Sequence, residues 1–313
     1  MVELGVGTSG LIAVTLPLKL RVGARTLATI HRRLVRVPFS LDMVLAETMP
    51  ALPPLAGTDQ GYLITSLPVT LTDVALHIVP VAITHVVQRY VRYRADLSIG
   101  YAAWEAGMSA SARAAMRRKA RRLAEANGGR VDVRAYRDAA GLETFYNLAQ
   151  MVSATTYQAR LMGEGLPEDP VFRRDMVVLA QAGGIRAWLL FMGDRPAAYL
   201  WCSVADGVVR YDHVGHDPAF AALSPGAVLH AAAMRELYDE GGLRWFDFTE
   251  GEGQHKRQFA TDGTECVDLL ILRRTPGNRA TVAALAAFTS MVALTKRVAG
   301  HPRLAGLARR LRR

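Results

Sequence analysis

The chain has 313 residues, half of them apolar and 21% charged, which gives ample material for a packed core and excludes wholesale disorder. Only two cysteines occur, Cys202 in an apolar run and Cys266 beside Val267; they exclude a disulfide-built scaffold and read as core thiols. Against 28 acidic residues stand 38 basic ones, a formal charge of +10, with eight cations in residues 275–313 and six in residues 109–123 and no acid in either stretch. Two basic patches on a near-neutral body predict docking sites for anions.

Residues 11–20, 26–36 and 62–70 have the apolar, β-branched character of strands, and the turn Val22-Gly23-Ala24 makes the first two a hairpin. Residues 49–61, rich in Pro and Gly, form a loop. Residues 74–87 are a continuous apolar run, a buried helix or a buried strand, and periodicity does not choose between them. Residues 89–96 alternate as a strand leaving that run. Ser109 or Ser111 caps a helix to about Ala126, which Asn127-Gly128-Gly129 stops. A strand at 131–136 and a helix at 141–159 follow. Strands 185–192 and 197–204 are joined by Gly193-Asp194-Arg195-Pro196, and Ala205-Asp206-Gly207 turns into strand 208–216. Leu223-Ser224-Pro225-Gly226 opens a helix to about Glu240, closed by Gly241-Gly242. A strand at 243–248, a polar loop at 249–255, a short helix at 256–260 and a last strand at 267–272 complete the body. A meander of antiparallel strands followed by one strand–helix–strand crossover predicts an α+β fold, a mixed sheet with helices on its faces.

Glu3 precedes the first apolar stretch and no basic region leads it, so nothing there reads as an export signal. The apolar stretches 74–88 and 280–295 fall short of the roughly 20 residues of a spanning helix. The expected location is the cytoplasm. In the tail, Leu294, Val298, Leu304, Leu307 and Leu311 interspersed with cations suit an amphipathic helix lying on an anionic membrane surface. No zinc-ligand spacing, P-loop, G-x-S-x-G or C-x-x-C motif occurs, and no metal is expected.

Several constellations carry chemistry. Ser224 can cap a helix, Pro225 suits its first position and Gly226 lets a ligand approach the backbone, so this helix start favours an anion. Lys256 can neutralise a phosphate or a developing oxyanion, and Glu250 or Glu252 can take a proton from an attacking amine. On strand 208–216, Tyr211 and His213 are expected to share one face and Asp212 the other. His213 is a candidate base. Asp247 points away from Phe246 and Phe248, towards a cleft or a helix cap. Tyr157, Tyr199 and Trp201 line an acceptor pocket or belong to the core. Arg113, Arg117 and Arg121 fall at i, i+4 and i+8 as one stripe, widened by Arg118 and Arg122, with Met116, Ala120 and Leu123 as the buried side.

The run SASARAAMRRKARRL at 109–123, the hairpins, and HDPAFAALSPGAVLHAAAMRELYDEGGLRWFDFTEGEGQHKRQF at 216–259 resemble the GNAT acyltransferase superfamily, in particular its CelD/BcsL-like branch, related to the FemABX aminoacyl transferases. The resemblance spans residues 89–273. It implies an α+β, GNAT-like, mixed and mostly antiparallel sheet flanked by helices. Residues 1–100 would form a partial N-terminal half resembling a second GNAT unit, residues 101–274 the acyltransferase domain, and residues 275–313 a basic amphipathic tail.

The resemblance further implies acyl-CoA as donor substrate, not tightly bound, with its pyrophosphate against Leu223, Ser224, Gly226 and Ala227. The family's R/Q-x-x-G-x-G/A loop is absent at that place. Lys256, Glu250, Glu252 and His213 are the implied catalytic candidates. Tyr157, Tyr199, Tyr211, Asp247, Arg117 and Arg121 are the substrate-binding ones. The acceptor would be an amine, on an amino sugar of an envelope polysaccharide or on a lipid amine such as a sphingoid base, at the cytoplasmic membrane face. Two alternatives stay open: an aminoacyl-tRNA donor, and a catalytically degenerate protein that senses an anion or nucleotide.

Overall fold

The computed structural model describes residues 11–22, 25–78, 82–156, 165–251 and 253–299. By its contacts the chain divides into two units, one holding Tyr90–Cys266 and the other Gly7–Arg89 with Val267–Arg313. The boundaries fall inside two strands, β4 (Ala82–Asp96) and β10 (Asp262–Arg273).

In the second unit, β1 (Ala13–Val22) and β2 (Arg25–Pro38) form the expected antiparallel hairpin, and β2 pairs in parallel with β3 (Gly61–Pro68) through α1 (Leu41–Leu45) and the Pro-rich loop. The strand order there is β1-β2-β3-β10-β4. Its core holds Leu18, Leu34, Leu270 and Leu272, closed by Leu285 of α9 (Pro276–Ala299). The apolar run at 74–87 is neither of the two elements expected. It divides into α2 (Thr72–Ile78) and the start of β4, and Val74, Leu76 and Val87 are exposed.

The Tyr90–Cys266 unit carries the longer meander. Its strand order from β4 is β4-β9-β8-β7-β6-β5, where β5 is Asp132–Tyr136, β6 Ile185–Met192, β7 Arg195–Ala205, β8 Val208–His216 and β9 Trp245–Asp247. All neighbours are antiparallel except β8 and β9. Strand β7 is buried on both faces, as the unbroken apolar run at 197–202 requires. Leu200 and Cys202 face a core shared with Leu229, Ala233 and Leu237 of α7 (Pro225–Glu240). Tyr199 and Trp201 face a second core with Phe145 of α5 (Ala139–Thr155) and Phe172 of α6 (Pro170–Gln181). Helix α6 lies in a stretch for which the sequence pattern predicts no element; its signal is Asp169-Pro170, where the Asp169 carboxylate accepts the Phe172 amide at 2.8 Å.

Between α3 (Tyr101–Gly107) and β5 runs α4 (Ala110–Ala126), the basic helix. Ser109 is its cap, accepting the Ala112 amide at 3.2 Å. Its end is tied down by Asn127, which donates to the Phe191 carbonyl at 3.1 Å and accepts the Gly193 amide at 2.7 Å. Leu123 is fully buried, with Met116 and Ala120 against the same core.

One expectation about β8 is corrected. Cys202 pairs with Tyr211 and Trp201 with His213, so Asp212 is an extra residue, a β-bulge. The bulge puts Tyr211 and His213 on opposite faces: Tyr211 lies in the core under α7, while His213 meets the Phe172 ring edge-on at 5.5 Å. The Asp212 carboxylate fixes the irregularity by accepting from the Ser203 amide at 2.8 Å and the Ser203 hydroxyl at 2.6 Å.

Beyond the bulge, Tyr199 lies flat over Gly215, and a Cβ there would collide with its ring. Gly215→Ala is expected to cost about 1–3 kcal/mol in urea unfolding. Adding Tyr199→Leu should recover part of it; no recovery would mean that the ring contact is not the constraint.

Candidate active site

Strands β8 and β9 pair only from Val208↔Trp245 to Arg210↔Asp247. β9 ends there, while β8 continues to His216. The two parallel strands therefore part after three residue pairs, and the far end of β8, at His216, lies beside Gly226 in the first turn of α7. This gap and the helix end beside it are the centre of the site.

The start of α7 differs from the expected cap. Ser224 occupies the N-cap position in the left-handed region (φ 54°, ψ 49°), and its side chain makes no capping hydrogen bond. A capping Ser needs extended backbone there, so the left-handed turn is what removes the bond. Pro225 has no amide, and the Ala227 and Val228 amides both donate to the Ser224 carbonyl, at 3.1 and 3.2 Å. Gly226 supplies the remaining first-turn amide for an anion, and an added Cβ there would meet only His216, at 3.8 Å.

Positive charge reaches this point from α4. A cavity of about 340 Å³ is lined by Ala115, Arg118, Lys119 and Arg122 of α4 and by Ala222, Leu223 and Ser224. Among the described residues none of those three cations has an ion-pair partner. Arg117 and Arg121, the stripe residues singled out from the sequence, lie outside this cavity. They are exposed and approach Glu105 at 3.5 Å and Glu125 at 3.8 Å. Arg113 turns back instead, its Nη1 donating to the Met108 carbonyl at 2.5 Å.

At the gap itself, Asp247 is buried and bound in fork geometry by Arg92, Nε to Oδ1 at 3.1 Å and Nη2 to Oδ2 at 2.5 Å. Burial works to raise the Asp247 carboxyl, but Arg92 prevails and holds it below the usual carboxylate range. The same carboxylate accepts the Thr249 amide at 2.9 Å, and the Thr249 hydroxyl reaches the Tyr211 carbonyl at 3.4 Å. The loop from Phe248 is thus pinned to both strands as it leaves β9.

From α8 (Gln254–Phe259), the buried Lys256 donates to the Glu250 carbonyl at 2.5 Å. Burial lowers its ammonium pKa, partly opposed by Glu250 and Asp247. The Tyr211 hydroxyl stands 3.4 Å from His255 Nε2. Burial raises the Tyr211 phenol and lowers His255, which the Lys256 charge lowers further.

His213, on the opposite face, is pushed down to about 4 by burial and then by Arg210. Tyr199 is 2% exposed, inside the core. Tyr157 and Glu252 lie outside the described residues. Two residues at the candidate site, His255 and His230, are not among the candidates the sequence offers. His255 had a signal, lying beside Lys256; His230 sat inside an ordinary helical pattern and had none.

A short parallel strand pair inside an otherwise antiparallel sheet with helices on its faces is the arrangement of a GNAT-like α+β fold. Residues 110–257 match a family described as the acetyltransferase (GNAT) domain. Over those residues the chain has a GNAT-like fold. No curated protein matches the chain.

Among solved structures, the chain is similar to the C-terminal domain of a putative lysylphosphatidylglycerol synthetase from Agrobacterium fabrum. The identity is 12%, over 74% of this chain and 72% of that one, with a TM-score of 0.50, and the two share a fold. It is also similar to FemX, 11% identical over 83% and 88% of the two chains with a TM-score of 0.48. The third is L-PGS from Bacillus licheniformis, 11% identical over 72% of each, with a TM-score of 0.46.

Two buried imidazoles set a pH dependence. His213 at about 4 and His230 at about 3 stay neutral in the fold, whereas an unfolded His protonates near 6.5. Below that pH the unfolded chain binds more protons, so stability falls as pH falls. From pH 7.5 to pH 5 each should remove on the order of 1–2 kcal/mol of unfolding free energy. The His213→Leu variant should show a shallower loss in urea titrations at the two pH values; an unchanged slope would show that His213 is not held neutral.

Proposed function

We propose that this chain is an N-acyltransferase that moves an acyl group from acyl-CoA to an amine. The carrying observation is the cavity between α4 and the start of α7, where Arg118, Lys119 and Arg122 stand beside Ser224 without acid partners among the described residues. With one amide offered by the helix start, the phosphates of the donor are matched by side-chain charge and by the helix dipole. The pantetheine arm then enters the gap where β8 and β9 part, with the thioester near Tyr211.

The amine nitrogen attacks the thioester carbonyl carbon. The amide C–N bond forms, the C–S bond breaks, and the sulfur leaves with the electron pair. Tyr211, kept protonated by burial, gives the departing sulfur its proton. His255, kept neutral, accepts the proton lost by the amine, with Glu250 and Glu252 of the same loop as alternatives. His213 packs on Phe172 across the sheet, which argues against it as the base. Lys256 and the Arg92–Asp247 pair act as positioning residues, through the Glu250 carbonyl and the Thr249 amide. For the acceptor we keep the class that the resemblance implies, an amino sugar of an envelope polysaccharide or a lipid amine at the cytoplasmic membrane face. The basic composition of residues 300–313 supports it, and these lie outside the described residues.

Calorimetry tests the donor. Arg118→Glu with Lys119→Glu and Arg122→Glu should weaken acetyl-CoA binding about 10- to 100-fold, roughly 1.4 kcal/mol per tenfold. Arg121→Glu, outside the cavity, should leave it within twofold. Equal binding by the triple variant, or binding of charged tRNA in place of acyl-CoA, would contradict this reading.

A further inference from the structure

His230 stands on the second turn of α7, 4% exposed, in a box of rings. Its imidazole is stacked on Phe259 at 4.3 Å and on Tyr211 at 5.3 Å, with Phe246 and Phe248 each at 5.6 Å and His255 at 6.3 Å. Its Nε2 is buried and makes no hydrogen bond among the described residues. A buried polar atom without a partner is costly, and native structures almost always satisfy one. The surrounding Phe and Tyr faces offer no acceptor or donor to it, and a Phe of similar shape would fill the same space without that cost. Stability therefore does not account for an imidazole at this position.

The place of the atom points to its use. Pairing of β8 and β9 ends at Arg210↔Asp247, and the next residue on each strand, Tyr211 and Phe248, lies against the His230 ring. His230 thus forms the floor of the gap on the α7 side. It stands four residues along the helix from Gly226, about 6 Å of rise. Tyr211, whose hydroxyl lies 3.4 Å from His255 Nε2, is its stacking partner.

We propose that His230 is a donor-binding residue whose Nε2–H donates a hydrogen bond to the carbonyl oxygen of the acyl thioester. The inference rests on the acyl-CoA reading and adds to it the group that recognises the acyl end. It separates an acylated donor from free CoA, which has no such carbonyl. The imidazole does this uncharged, since burial keeps it neutral far below physiological pH. His255, whose Nε2 lies 3.4 Å from the Tyr211 hydroxyl, stands beside both rings.

The test measures acetyl-CoA and CoA binding by calorimetry, turnover with an amine acceptor, and thermal unfolding, for the wild type, His230→Phe and His230→Gln. In His230→Phe the melting temperature should stay level or rise. Acetyl-CoA affinity should fall tenfold or more while CoA affinity stays within twofold, and kcat/KM should fall with it. His230→Gln, which restores a donor, should recover part of the loss. If His230→Phe binds acetyl-CoA and turns over like the wild type, the inference is overturned and the acyl-CoA reading stands. If its melting temperature falls and both ligands are lost together, His230 is a packing residue and the inference is again overturned. If the wild type itself binds neither thioester nor CoA, the acyl-CoA reading falls and takes the inference with it.

Discussion

The buried pair of Arg92 and Asp247 decides where the sheet opens. Asp247 is the last residue of β9 and the last to pair with β8, and Arg92 of β4 holds it from the other side. A carboxylate this deeply buried is tolerated only because the guanidinium and an amide satisfy its oxygens. That amide belongs to Thr249, so the same two oxygens end the strand and start the loop. Everything at the candidate site is measured from that point: Tyr211 and Phe248 as the first residues not paired with each other, His230 against both rings, and Glu250 and Lys256 on the segment that leaves. Removing either charge would strand the other in the interior, at a cost of about 3–5 kcal/mol.

The chain also shows a particular way of meeting an anion. A helix start with a proline in its first turn and two amides turned to Ser224 offers little backbone to a diphosphate. The neighbouring helix makes up the difference with Arg118, Lys119 and Arg122. Charges without acid partners repel one another, so a surface that keeps three together gains when an anion binds. The absent glycine-rich loop and the basic helix are two sides of one arrangement.

Much of the framework was legible in the sequence because its ends are marked by local chemistry. Ser109 and Asn127-Gly128-Gly129 bound α4, Gly241-Gly242 closes α7, and the two turns of the meander fix β6, β7 and β8. Where tertiary context decides, the sequence misled. The apolar run at 74–87 divides into a helix and a strand with exposed Val74 and Val87, which no period reveals. The bulge at Asp212 adds one residue to β8 and reverses the face of His213; its cause is a pair of hydrogen bonds to Ser203 on another strand. The basic helix is legible in the sequence, but the cavity beside Ser224 is lined by Arg118, Lys119 and Arg122 and not by Arg117 and Arg121. A 3.6-residue period says which residues share a face and not which face meets α7. His230 was invisible because a lone His in a helical pattern reads as core, and only the missing partner of its Nε2 distinguishes it.

The central claim is that the donor lies between α4 and α7 with its arm in the gap between β8 and β9. A crystal structure of the chain with acetyl-CoA tests it most directly. The account predicts the diphosphate within hydrogen-bonding distance of the Gly226 amide and of at least two of Arg118, Lys119 and Arg122, with the thioester beside Tyr211. Nucleotide bound elsewhere, or a diphosphate in the cavity with the arm directed away from the gap, would contradict it.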